Sequence, residues 1–291
     1  MTFFQRLRED LVEGLIKASG VASIFIVALI FIFLLKEGIG LFQTQGLGNF
    51  LFGHKWYPIS EPPVFGILPL ILGTILVTFG SAVIAVPLGV AAAIYIAEVA
   101  PSSLKELLKS GVEILAAIPS VVLGFVALVT VVPWMKTLFH LPTGLTAFSG
   151  SVVLAFMAMP TIVSIAEDAL HSVPRSYKEG AYALGATKWQ AIHRVILPAA
   201  APGIVAAVML GIGRVVGETM AVMMITGNSA SMPKGLFAPV RTLTATIAAE
   251  MGETVQGSEH YFALFSIGIV LFILTFLINM TADAFLHRRS K

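Results

Sequence analysis

Two ionisable residues stand in a long stretch of hydrophobic and small side chains. Arg214 and Glu218 are four residues apart between Ala199 and Thr226, a segment long enough to cross a bilayer. In a continuous helix this spacing puts the two side chains on one face. An ionisable group at such depth costs at least about 3 kcal/mol, so it should face the interior of a helix bundle or an aqueous path. The pair predicts either a route for a charged solute or an intrahelical ion pair that serves assembly alone.

Glycines surround this pair, and they indicate close packing rather than nucleotide chemistry. Gly213 and Gly217 have the Gly-x-x-x-Gly spacing along which another helix can approach closely. A dinucleotide fingerprint would need a preceding strand and a soluble βαβ unit, which an apolar segment excludes. The chain also lacks a G-x-x-x-x-G-K-[ST] loop, so ATP hydrolysis by that route would need a separate subunit. We therefore assign no catalytic residue, and the scattered histidines and absence of cysteine predict no metal site.

The composition describes the elements that must position Arg214. Hydrophobic residues make up 57% of the 291 residues and charged residues 12%, and the mean hydropathy is +0.93. This is typical of an all-α, polytopic membrane protein with no nucleic-acid partner and excludes a soluble globular chain. Six apolar segments are long enough to span a bilayer, and they cover residues 18–35, 67–97, 112–134, 145–166, 199–226 and 261–285.

The distribution of lysine and arginine predicts the orientation in the membrane. Six spans put both termini on one side, and twelve of the 18 basic residues fall on that side against five on the other. We therefore predict a cytoplasmic N-terminus (1–17), a first transmembrane helix (18–35), a five-helix core (67–286) and a cytoplasmic tail (287–291).

A charged, ordered segment interrupts the core between the fourth and fifth spans, at residues 172–198. Gly185 can close a first short helix, and Thr187 with Gln190 forms a capping box that opens a second one. Pro198 then begins the next membrane helix. A helix-glycine-helix unit that no span requires predicts either a docking surface for a soluble partner or an amphipathic connector on the lipid surface.

The other polar features indicate less. Glu98, Glu167 and Asp168 lie near cytoplasmic ends of spans, where we expect solvated or capping roles. The outer segment 227–260 is expected to be a solvated loop, with contact to an external protein as the alternative.

The segment 172–198 also resembles a known motif. Glu179-Gly180-Ala181, Gly185 six residues after the glutamate, and Val195-Ile196-Leu197-Pro198 resemble the EAA loop of ABC-importer permeases. The resemblance implies that Glu179, Gly185, Leu197 and Pro198 couple the chain to an ATPase.

A second resemblance concerns the substrate. The segment from Gly213 to Met220 is similar to the signature of permeases of phosphate-specific (Pst) ABC importers. Further matches to the C-type subunit (PstC) are Trp56 to Pro58, Phe65 to Leu70, Ile118 to Ser120 and Arg241 to Thr246. The resemblance implies the type I, MetI-like permease fold and phosphate transport, with Arg214, Glu218 and Thr219 in the pathway.

The same resemblance implies the surroundings of the chain. They are the cell inner membrane, a homologous A-type permease, a dimer of ATP-binding subunits and an extracytoplasmic phosphate-binding protein. ATP would bind to the partner, so this chain would carry no cofactor. Arg214 could contact two phosphate oxygens, while Glu218 could hold the arginine between passages or accept a proton from phosphate.

Two other functional classes stay open at this stage. In a secondary transporter or channel for an inorganic anion, Arg214 and Glu218 would form a self-contained relay. A membrane scaffold that only anchors a soluble complex would tolerate the loss of Arg214. The ATPase-docking motif favours the importer.

Overall fold

The computed structural model describes the backbone of residues 3–289 and the side chains of residues 11–281. The ends of the predicted cytoplasmic segments 1–17 and 287–291 thus lie outside the described residues. Between them the chain is helical apart from loops and one small hairpin, in which β1 (Trp56–Tyr57) pairs antiparallel with β2 (Val64–Phe65). The prediction of an all-α polytopic fold is confirmed.

Thirteen α-helices are present in the described part of the chain, together with three tighter or wider helical turns. In chain order they are α1 (Phe3–Gly38), a 3₁₀ turn (Ile39–Gln43), α2 (Leu47–Phe52), α3 (Leu68–Ile94), a π-helical turn (Tyr95–Val99), α4 (Ser102–Ala117), α5 (Ser120–Val129), α6 (Val131–Leu138), α7 (Ala147–His171), α8 (Arg175–Ala183), α9 (Lys188–Ala191), a π-helical turn (Ile192–Ile196), α10 (Leu197–Gly217), α11 (Met220–Ile225), α12 (Leu243–Glu250) and α13 (Glu259–Arg289).

Six helical segments are long and apolar enough to cross a membrane, which agrees with the predicted number. They are Leu11–Gln43, Leu68–Val99, Ser120–Leu138, Ala147–His171, Lys188–Gly217 and Glu259–Thr281. The third begins at Ser120 rather than at Val112, because Ile118 before Pro119 is extended (φ −68°, ψ 128°) and separates α4 from α5. Residues 112–117 belong to α4, which lies against α7.

The centre of the bundle is α7, the most buried of the six spans, with α3 and α10 packed against it. Small residues allow this close approach. A Cβ atom at Gly80 would collide with Ser151 of α7, and one at Gly89 or Gly211 would collide with Ile162. α7 therefore fixes the positions of the second and fifth spans relative to each other.

α1 lies at the periphery and packs along α13. Phe31 stacks on Phe272 with ring centroids 4.7 Å apart, and Phe33 meets Phe265 edge to face at 5.5 Å. From Leu11 on, where the side chains of α1 are described, most other apolar side chains are exposed, which suits a helix bordered by lipid.

Candidate functional site: a broken fifth span and a coupling segment

Arg214 lies in the last turn of α10 and is exposed on the surface of this chain. Its nearest side-chain partner is on α7, where Thr161 Oγ1 lies 3.5 Å from Nη1, at the outer limit of a hydrogen bond. Thr161 follows Pro160, which is built into α7. α7 and α10 thus place a guanidinium at the bundle surface with most of its donor capacity unused.

Glu218 does not share a helix face with Arg214, so that prediction is wrong. α10 ends at Gly217, and Glu218 is extended (φ −68°, ψ 129°) before α11 begins at Met220. Its Oε1 accepts a hydrogen bond from the backbone N–H of Ala221 at 3.2 Å, and no ion pair joins it to Arg214 within the described residues. The physical reason is the glycine, which lowers helix stability, followed by a carboxylate that satisfies a free N–H of α11.

The break in the fifth span is held by hydroxyl groups. Thr219 Oγ1 donates to the carbonyl of Gly217 at 3.1 Å, and Thr244 Oγ1 of α12 donates to the carbonyl of Glu218 at 2.9 Å. Non-helical backbone at membrane depth needs such partners. Thr219 therefore supports the break, and α12 is part of the same structure.

The glycines beside Arg214 face away from the described chain. A Cβ atom at Gly213 or Gly217 would meet nothing within 4 Å, whereas one at Gly211 would strike α7. The helix that the Gly-x-x-x-Gly spacing predicts is thus not supplied by the described residues. Arg214, Gly213 and Gly217 together mark a face of α10 that is open to another subunit.

The segment 172–198, called the coupling segment below after the role that its sequence predicts, has the predicted helix-glycine-helix form. Gly185 (φ +79°) ends α8 in a left-handed conformation that favours glycine, with Ala186 N–H bonded to the Ala181 carbonyl at 3.1 Å. Thr187 and Gln190 form the reciprocal capping box, with distances of 2.9 and 3.3 Å. The second helix then runs without interruption through a π-helical turn into α10. Pro198 lies in the first turn of α10 as predicted, although the continuous fifth span begins earlier, at Lys188.

Apolar residues of the coupling segment divide between two faces. Ala181, Ile192 and Ile196 are buried, whereas Leu184 is 91% and Trp189 65% exposed. Glu179 and Pro198 are also exposed, and Leu197 is half-buried. Large apolar side chains exposed beside charged ones mark an interaction surface.

Glu98 and Glu167 near the coupling segment are buried and paired, contrary to the expectation of solvated or capping roles, whereas Asp168 is exposed as expected. Lys178 of α8 binds Glu98 at the end of the second span, with Nζ 2.5 Å from Oε1. Glu167 of α7 is buried and binds Lys109 at 2.9 Å and Lys105 at 3.3 Å, both from α4. The hydrogen bond to Glu167 raises the pKa of Lys109 despite partial burial.

The outer segment 227–260 is not a simple solvated loop. Glu250 at the end of α12 accepts hydrogen bonds from Trp56 Nε1 at 3.1 Å and from His260 Nε2 at 2.8 Å, and it also pairs with Arg241. Arg241 Nε donates to the carbonyl of Asn228 at 3.1 Å. The sequence resemblance included Trp56 and Arg241 but gave no sign that Glu250 joins them.

Comparisons with known proteins agree with this architecture. Residues 85–291 match the family described as binding-protein-dependent transport system inner membrane component. The chain is 42% identical over 277 residues to the probable ABC transporter permease protein YqgH of Bacillus subtilis, covering 94% of this chain and 90% of that protein. It is 37% identical to the phosphate transport system permease protein PstC of Mesorhizobium japonicum (82% and 78% covered) and 39% identical to that of Haemophilus influenzae (78% and 77% covered).

Solved structures show the same fold at lower identity. The bacterial ABC transporter that imports the acidic polysaccharide alginate superposes with a TM-score of 0.65 over 98% of this chain and 100% of that chain, at 17% identity. An inward-facing MetNI methionine ABC transporter gives 0.58 over 80% of this chain and 100% of that chain, at 24% identity. The chain therefore belongs to the binding-protein-dependent transport system inner membrane component family and is a multi-pass permease component of an ABC importer.

Proposed function

We propose that this chain is the C-type permease of a phosphate importer and forms half of the translocation pathway. Two of the relatives above carry the name of a phosphate transport permease, and both cover more than three quarters of the chain. The observation that carries the proposal is Arg214, a guanidinium that lies on an open face of α10 without an ion-pair partner among the described residues.

Arg214 suits an oxyanion in transit for electrostatic reasons. A phosphate mono- or dianion that leaves water for a low-dielectric bundle loses its hydration, and a fixed positive charge offsets part of that loss. The planar fork of arginine matches two phosphate oxygens, and Thr161 beside it can offer a hydroxyl. Glu218 accepts a hydrogen bond from Ala221, so the guanidinium is left available to the anion.

The proposed partner subunits would contact different surfaces of the chain. A homologous A-type permease would cover the face with Gly213 and Gly217, where a helix can approach closely. A dimer of ATP-binding subunits would dock on the coupling segment through Leu184, Trp189 and the nearby Glu179. A phosphate-binding protein would deliver substrate from outside, and both termini would lie in the cytoplasm with the coupling segment.

Uptake of labelled phosphate into proteoliposomes tests the proposal. The vesicles would hold the chain with its co-purified partners, with binding protein outside and ATP either inside or absent. We expect uptake only with internal ATP, and Arg214→Ala should lower it about a hundredfold, equivalent to roughly 2.7 kcal/mol of lost anion stabilisation. Arg214→Lys keeps the charge without the fork and should retain part of the activity.

Three results would contradict parts of the proposal. Uptake that follows an imposed ion gradient without ATP would instead indicate a secondary transporter. ATP-dependent uptake that Arg214→Ala leaves unchanged would remove Arg214 from the pathway, and transport of sulfate in preference to phosphate would change the substrate. Assembly of each variant complex is checked by size-exclusion chromatography.

A further inference from the structure

The ion pair between Lys178 and Glu98 connects two parts of the chain that are far apart in sequence. Lys178 lies on α8, the first helix of the coupling segment, and Glu98 lies in the π-helical turn that ends the second span. The distance between Nζ and Oε1 is 2.5 Å. The Glu98 side chain is only 8% exposed and that of Lys178 26%, so the contact lies beneath the surface that a soluble partner would cover.

Burial makes this contact specific. A carboxylate removed from water needs a counter-charge, and Lys178 is the ion-pair partner that the described residues give Glu98. Such pairs add little net stability compared with apolar contacts, but they select one arrangement of the elements that they join. The apolar contacts of Ala181, Ile192 and Ile196 lack that directional requirement.

Both wide helical turns of the described chain lie next to α8. The turn Tyr95–Val99 binds α8 through the ion pair, and the turn Ile192–Ile196 packs against α8 directly. Single π-helical turns occur frequently at functional sites and interrupt regular helical packing. The first turn ends the second span, and the other lies near the start of the fifth. Both spans pack on α7, where Ile162 lies against Gly89 and Gly211 and the neighbouring Thr161 lies near Arg214.

We propose that the Glu98–Lys178 ion pair is a positioning element, through which displacement of the coupling segment by the ATPase moves the second span together with the fifth. The inference rests on the proposed ATP-driven importer but does not depend on which anion is carried. Without the pair, α8 would move the fifth span, to which it is connected covalently, and would leave the second span behind.

Charge reversal in the complete transporter tests this role. Glu98→Lys or Lys178→Glu alone should lower uptake per ATP hydrolysed about tenfold while ATP hydrolysis continues, because the two charges then repel. The double variant Glu98→Lys/Lys178→Glu should restore most of the ratio. An unchanged ratio in the single variants would overturn the proposal. So would a double variant that assembles but is not restored, since Lys178 would then act on the ATPase or on folding instead.

Two neutral substitutions distinguish the positioning role of Lys178 from the general effect of removing the partner of a buried carboxylate. Lys178→Met and Lys109→Met make the same substitution in two lysines that bind buried carboxylates, but the Lys109 ion pair joins α4 to α7 and does not involve α8. We expect a lower uptake ratio for Lys178→Met and a normal ratio for Lys109→Met. Equal effects of the two variants on the uptake ratio would mean that the Glu98–Lys178 ion pair is only a structural contact, which would contradict the proposal.

A readout without substrate keeps this test independent of phosphate. The chain contains no cysteine, so Leu88→Cys in the exposed part of α3 introduces a single thiol. ATP binding by the complex should change the rate at which this thiol is labelled, and Lys178→Met should abolish the change. If phosphate uptake fails but this dependence persists, the substrate assignment is wrong and the positioning role holds. If the change survives Lys178→Met, the positioning role is wrong.

Discussion

Two arginines of this chain differ sharply in what surrounds them. Arg241, in the segment 227–260, is largely buried, pairs with Glu250 and donates to the carbonyl of Asn228. Arg214, in the fifth span, is exposed on the surface of the chain and has one hydroxyl at 3.5 Å. The same side chain thus has a counter-charge and a backbone acceptor in one region and a single distant hydroxyl in the other.

The difference indicates which cation holds the structure together and which can serve a ligand. Breaking the contacts of a buried guanidinium with a carboxylate and a carbonyl costs stability, and the carboxylate already neutralises its charge. Such a guanidinium therefore binds a further anion weakly. An arginine without a counter-charge is retained in a membrane span only if it faces water or a charged partner. Arg241 is therefore a structural residue, while Arg214 is the candidate for the pathway.

Replacing Arg241 should produce the largest loss of stability. Arg241→Ala leaves Glu250 largely buried with only Trp56 and His260 as partners, which we expect to cost about 3 kcal/mol. Arg214→Ala removes no such contact and should change stability by less than about 0.5 kcal/mol. Thermal unfolding of the purified complexes measures both.

The double variant Arg241→Ala/Glu250→Gln is the control for Arg241→Ala, because it also removes the negative charge of Glu250 that Arg241→Ala leaves without its counter-charge. It should regain part of the lost stability. A strong loss of stability in Arg214→Ala, or none in Arg241→Ala, would reverse the roles that the two environments suggest.

Glu218→Gln tests whether the carboxylate near Arg214 acts on the substrate or only supports the break in the fifth span. The glutamine oxygen can still accept from Ala221, whereas Glu218→Ala removes the contact and should destabilise the start of α11 by about 1 kcal/mol. If Glu218 only supports the break, Glu218→Gln should transport normally across the pH range. If its charge acts on the substrate, Glu218→Gln should instead shift the pH dependence of uptake. Uptake measured from pH 5 to 8 decides between the two.

The sequence predicted much of the fold because bilayer physics is local. Each span is an apolar run of sufficient length, and the number of six follows without tertiary information. The coupling segment was equally accessible, because Gly185 and the Thr187–Gln190 box act over a few residues. Where the apolar run continued through Ile118 and Pro119, hydrophobicity alone placed the start of the third span too early.

The arrangement of residues around Arg214 was harder to predict from the sequence. Four-residue spacing predicts a shared face only if the helix continues, and the break at Gly217 depends on Thr244, 26 residues from Glu218. Glu98 and Glu167 were misread for a related reason. Their partners Lys178 and Lys109 are 80 and 58 residues away in sequence, and a carboxylate near a span end looks the same in the sequence whether it is solvated or paired.

Lys109 provides the prediction with the smallest expected effect, since its cation is partly exposed and is paired with Glu167. The hydrogen bond to Glu167 raises its pKa, so the stabilisation is complete below the pKa of the unfolded lysine, about 10.4, and is lost as pH rises through the higher folded value. Thermal unfolding at pH 9 and pH 11 should therefore show a slightly larger loss for the unmodified chain than for Lys109→Met. Equal losses would mean that solvent already screens this pair, and that it is weaker than the ion pair between Arg241 and Glu250.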